Sequence, residues 1–158
     1  MSRKRTIRRI RPLVNPILQA MTNAAITDTA TLDKLRTREL SALESFRTGT
    51  ASRQDWMAIA DVLNIQETLS RDGVGPEALR PCLLAQEALT AAADRRASCG
   101  KFGVTGPQLQ ALREAYEYFD LQRASISRSR LEAAIRTTAA RIRSADPSTK
   151  VCIDEGTS

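Results

Sequence analysis

The residues of this chain best suited to chemistry are cations. Arg3, Lys4, Arg5, Arg8, Arg9 and Arg11 fall within the first twelve residues, and no acid precedes Asp28. The 158 residues carry 24 Lys and Arg against 18 Asp and Glu, a net charge of +6. Removing the six arm cations leaves residues 13–158 with 18 charges of each sign, so the whole excess sits on one short arm. Such side chains neutralise phosphates and release condensed counterions, a sequence-independent contribution that weakens with salt. Five of the six are Arg, whose planar fork matches phosphate oxygens. The arm is therefore expected to meet a polyanion, duplex DNA first. An acidic protein surface, or simple solvation, is the other use of such a segment.

A second group of cations is hidden by the overall balance. Residues 121–145 hold six Arg and one Glu. Within them Ile126-Ser127-Arg128-Ser129-Arg130-Leu131 has the polar start of a DNA-reading helix in a helix-turn-helix. Ser125 stands where the turn commonly has glycine, and Leu121 where the first helix commonly has a small residue, which favours an ordinary antiparallel helix pair. At about 100° per residue, Arg130 and Arg141 fall on one flank of the apolar stripe and Arg136 and Arg143 on the other. Arg128, Arg130, Arg136, Arg141 and Arg143 are thus candidates for a second basic surface.

Other chemistry is poorly provided for. With no histidine, Ser-His-Asp and Cys-His catalysis, His-containing metal sites and the usual pH switch are excluded. Cys82, Cys99 and Cys152 are odd in number and contain no CxxC pair, so neither a zinc site nor a disulfide framework is indicated, and a reducing cytoplasm is expected. Glu39 and Glu67 interrupt apolar stripes, as do Gln86 and Arg123. A di-iron carboxylate site would need Glu-x-x-His pairs, so a buried Glu–Arg pair fixing helix register is the better expectation. The loop Gly100-Lys101-Phe102-Gly103-Val104-Thr105-Gly106-Pro107 lacks the Lys-Ser/Thr and the preceding strand of a phosphate loop. Gly100 as a helix C-cap and Gly106-Pro107 as a helix start account for it. No catalytic residue, metal ligand or cofactor is assigned, and a non-enzymatic protein is expected.

The elements that must position these groups are helical, with no strand alternation and no internal repeat. One helix is expected over about Thr31–Phe46, with Leu32, Leu35, Ala42, Leu43 and Phe46 inward and Gly49 at its end. A second begins at the capping box Ser52-Arg53-Gln54-Asp55 and stops before Gly73. It has two apolar faces, more than an edge helix needs, which makes a homo-oligomer compatible with the chain. A third starts at Pro76 or near residue 80 and is apolar on both sides, the pattern of a central helix. Leu109, Leu112, Tyr116 and Phe119 define a fourth. Ser129-Arg130-Leu131-Glu132 caps a fifth, which reaches Ser144. With 23 alanines, the core must come from backbones in close approach.

The fold expected is thus all-α: a single bundle of four to five helices over 28–145, a basic, flexible N-terminal arm over 1–27 and a flexible tail over 146–158. Apolar runs are too short and too often broken for a membrane span, and Leu13–Ile26 is too polar for a signal-peptide core.

The order of basic arm, Leu13-Val14-Asn15-Pro16, Leu35–Ala42 with its acid, Asp55–Glu67, and Leu109-Gln110-Ala111-Leu112 followed by Asp120-Leu121-Gln122 resembles small helical proteins encoded in prophages and plasmids of proteobacteria. Some of these are classed as Fis-type transcription regulators. The resemblance covers most of residues 3–143. It implies a mobile-element setting, in which such proteins bind DNA or bind and redirect a host protein, and it supplies no catalytic residues.

Overall fold

The computed structural model describes residues 9–10, 29–151 and 153. Five helices run through the described chain: α1 (Thr29–Thr48), α2 (Arg53–Arg71), α3 (Leu79–Cys99), α4 (Gly106–Ser125) and α5 (Arg128–Ser144). Short 3-10 turns at Pro76–Ala78 and Pro147–Thr149 lead into α3 and out of α5. The protein is the all-α bundle its periodicity requires. Periodicity gave no sign of one small addition, the parallel pairing of β1 (Arg9–Ile10) with β2 (Lys150–Val151). Two residues are too few to show the alternation of a strand.

The centre of the bundle is α2, not the third helix. Every residue from Ala58 to Ser70 is buried, and a helix buried on all sides lies inside its neighbours. Helices α1, α3, α4 and α5 all pack against it. Its polar residues disguised this in the sequence, and several of them hydrogen-bond within the bundle. The Gln66 side-chain amide donates to the Ala115 carbonyl at 2.7 Å, that of Asn64 to the Ala60 carbonyl at 2.9 Å, and the hydroxyls of Thr68 and Thr138 meet at 2.8 Å. The Trp56 indole N–H donates to the Leu89 carbonyl at 2.9 Å. The surplus apolar surface of α2 is therefore covered within one chain, and it offers no argument for self-association. Helix α3, by contrast, buries one face, Cys82, Ala85, Gln86, Ala88, Leu89 and Ala92. Leu84 is 49% exposed, so the expectation of a helix buried on both sides does not hold there.

Helix starts follow capping chemistry more closely than composition. Ser52 and Asp55 form the expected capping box of α2. Helix α4 has one too, Thr105 with Gln108, so its start owes more to these side chains than to Gly106-Pro107 alone. At α5 the cap is Ser127, two residues before the expected Ser129. Ser127 is extended and its hydroxyl accepts from the Arg130 amide at 3.3 Å. Glu132 turns to Arg128 at 2.9 Å instead of closing a box. Beyond α5, Asp146 Oδ1 accepts from the Ser148 amide at 2.8 Å. Val151 is buried in the core cluster with Ile153 packed beside it, so hydrophobic contact holds part of the segment expected as a loose tail.

Candidate functional site

The expected basic surfaces divide according to what already occupies each side chain. Arg3, Lys4, Arg5, Arg8 and Arg11 lie outside the described residues, and of Arg9 the backbone is placed, beside Lys150. On α5, Leu131, Ala134, Ile135, Thr138 and Ile142 are buried. The flank carrying Arg130 and Arg141 leans on α2. Arg141 is half-buried and donates to the Asn64 carbonyl at 3.2 Å and to Glu67 Oε2 at 3.3 Å. Arg130 reaches the Asp72 carbonyl at 3.3 Å, and Arg128 is tied to Glu132. Arg136 and Arg143, on the other flank, are exposed. Of the five helix arginines, Arg128 and Arg141 are partly buried and paired with carboxylates, whereas Arg130, Arg136 and Arg143 are exposed, Arg130 also meeting the Asp72 carbonyl.

Sequence reasoning did not single out Lys150. Its ammonium donates to the Arg143 carbonyl at 3.5 Å, and it is the register partner of Arg9. A lone lysine after a proline-terminated helix gives no signal that could have found it.

Two buried carboxylate centres confirm the expected Glu–Arg pairing and extend it. On α1, Glu39 receives both guanidinium nitrogens of Arg123 at 3.1 Å and the Tyr116 hydroxyl at 3.0 Å. Asp120 accepts from Arg123 at 3.0 Å and from Arg36 at 2.9 Å, linking α1 to α4. The Arg123 guanidinium also lies 4.9 Å from the Phe119 ring centroid. Burial pushes the Glu39 carboxyl above its ordinary range, with Arg123 pulling the other way, and burial also raises the Tyr116 hydroxyl. Around Glu67 burial is outweighed by hydrogen bonds and charge. Gln86 at 2.9 Å, Arg141 and Arg71 at 2.8 Å hold it below the usual carboxylate range. The carboxylates are fully engaged in joining helices.

The glycine loop is structural as well. Gly100 closes α3 at φ +80. Phe102 is buried, its ring 6.4 Å from that of Trp56 and 4.9 Å from the Arg96 guanidinium. Cys82 is buried, its thiol pushed well up by burial and donating to the Leu63 carbonyl at 3.1 Å, whereas Cys99 is exposed at the end of α3. Among the described residues no cluster of metal-ligating side chains occurs, and no helix is long and apolar enough to cross a membrane.

One surface groove is apolar. Between α1 and α4, Leu40, Leu43, Tyr116 and Leu121 line a depression of about 690 Å³, rimmed by Glu44, Arg113, Glu117 and Asp120. Leu40 is 52% and Leu121 69% exposed. The residue that was out of place in a helix-turn-helix is a surface leucine. No protein-family model, curated protein or solved structure matches the chain.

Proposed function

We propose that this chain is a non-enzymatic DNA-binding or regulatory protein of a phage or plasmid, acting in the cytoplasm and gripping the duplex backbone through its Arg-rich arm. One observation carries the reading: the net charge of +6 lies wholly within residues 3–11 of a chain otherwise balanced. Solubility alone gives no reason for that concentration, whereas phosphate contact needs cations close together. The engagement of Glu39 and Glu67 in helix-joining bonds supports a role without catalysis.

The test is fluorescence anisotropy with a labelled generic duplex at two salt concentrations. Binding should be tight at low salt and collapse at higher salt, and deletion of residues 1–12 should weaken it and flatten the salt dependence with helicity intact. No binding at either salt overturns the proposal.

The α1–α4 groove favours a second reading, a protein-binding module that inhibits or modulates a host complex. Two exposed leucines beside one depression are the kind of apolar anchor site such contacts use. Association through it would respond little to salt.

A further inference from the structure

We propose that the outward face of α5 is itself a duplex-binding surface, taking backbone phosphates on Arg130, Arg136 and Arg143. This rests on the DNA-binding reading and adds to it a contact made by the folded bundle. Helix α5 packs against α2, burying Leu131, Ala134, Ile135, Thr138 and Ile142. The three arginines are exposed on the opposite arc. At about 100° per residue, Arg130 stands on one edge of that arc, and Arg136 and Arg143 on the other, roughly 120–140° away. The side chains between the edges, Thr137, Ala140 and Ser144, are small and exposed. Each guanidinium therefore projects beyond its neighbours, where a phosphate can reach it.

Charge sets this helix apart. Cations and acids number four to three in α1, two to three in α2, three to two in α3 and two to three in α4, but five to one in α5. Solvated helices interleave both signs and pair them, as Arg47 does with Glu44 and Arg36 with Asp120. The one acid of α5, Glu132, is tied to Arg128 at 2.9 Å, so the outward arc is cationic throughout. Helix stability does not account for the set. Arg143, in the last turn, faces the negative end of the helix dipole, but Arg136 at mid-helix gains nothing from it, and Arg130 in the first turn faces the unfavourable positive end. Arg130 donates to the Asp72 carbonyl through one nitrogen, which leaves most of its five N–H donors for a phosphate. From Arg130 to Arg143 the helix runs about 20 Å, a length over which a duplex presents roughly a dozen charges.

The experiment compares two full-length triple variants with the same change in net charge. One carries Arg130→Gln, Arg136→Gln and Arg143→Gln. The control carries Lys34→Gln, Arg80→Gln and Arg113→Gln, exposed positions on α1, α3 and α4. Binding to a labelled duplex is followed over a salt series, with circular dichroism to check helicity. The α5 triple should weaken binding at least about tenfold beyond the control and reduce the log–log salt slope by about 0.9 for each phosphate no longer neutralised. Equal effects of the two triples overturn the α5 surface; if the parent protein still binds the duplex, the DNA-binding reading survives, and if it does not, both fall. A second measurement locates the contact without removing any arginine. A benzophenone is attached at Ala140→Cys, or at Gln110→Cys on the exposed side of α4, in a Cys99→Ser, Cys152→Ser background that leaves the buried Cys82 in place. On irradiation the duplex should cross-link through position 140 and not through position 110. Cross-linking that is equal at both, or absent at 140 while the duplex is bound, overturns the proposal.

Discussion

Replacing Arg123 with Met removes a guanidinium and leaves Glu39 in place among apolar neighbours. The Arg123 side chain is 5% exposed and that of Glu39 is 9%, so water cannot readily take over from the missing partner. In the parent protein Glu39 accepts three hydrogen bonds, two from Arg123 and one from Tyr116. In the variant only the Tyr116 hydroxyl remains among them. Breaking a buried pair in this way costs about 3–5 kcal/mol. For a domain near this size, each kcal/mol lowers Tm by about 2–4 °C, so a fall of about 6–20 °C is expected.

The double variant Glu39→Met, Arg123→Met removes both charges and restores apolar packing, which is commonly neutral or stabilising relative to a buried ion pair. Urea unfolding at pH 7, followed by circular dichroism, gives the full cycle. The reasoning fails if Arg123→Met is no worse than the exposed Arg113→Ala, expected to lie within about 0.5 kcal/mol of the parent. It also fails if the double variant is as unstable as the single, because the cost would then not come from an abandoned carboxylate.

The remaining expectations concern acid, backbone and caps. Glu67 has a depressed folded-state pKa, so its stabilisation is complete above the ordinary carboxylate value and is lost as pH falls through the folded value. Glu67→Gln should therefore be less stable than the parent at pH 7 and lose less stability between pH 5 and pH 3, measured by urea midpoints. Gly75 sits at φ +56, where an added Cβ would lie 3.2 Å from Gln122 Cγ, whereas Gly73 at φ +85 has open space around it. A side chain in the left-handed region costs about 1–2 kcal/mol, so thermal melts should show Gly75→Ala more damaging than Gly73→Ala. Equal shifts would deny that Gln122, which donates to Ser70 Oγ at 3.0 Å and the Val74 carbonyl at 2.7 Å, holds this loop firmly. Loss of the Ser127 cap in Ser127→Ala should cost about 1 kcal/mol, while Ser129→Ala should be close to neutral in the same denaturation assay.

Much of the helical layout was legible because helices announce themselves locally. The Ser52–Asp55 box, the Gly100 C-cap and the stripe through Leu112, Tyr116 and Phe119 each depend on residues within a few turns of one another. The expected Glu–Arg pairing was legible for a related reason: a charge inside an apolar stripe must find an opposite charge or reach water. Which Arg met which Glu was not legible, because Glu39 and Arg123 are 84 positions apart. Likewise, two serines close together at the start of α5 offered two possible caps. Only the extended backbone at Ser127 decided between them.

By itself the sequence determined an all-α chain, its helix segments and a net charge gathered at one end, since each follows from spacing or simple counting. Tertiary structure decided which helix is central. Helix α2 looks too polar for that place until Gln66, Thr68 and Glu67 meet Ala115, Thr138 and Gln86 on other helices. It also decided which arginines remain available. Arg136 and Arg141 flank one apolar stripe on opposite sides, but one faces solvent and the other turns inward to a buried carboxylate. Helical periodicity fixes the angle between two side chains on one helix; only packing fixes where that helix is turned and what stands opposite each of them.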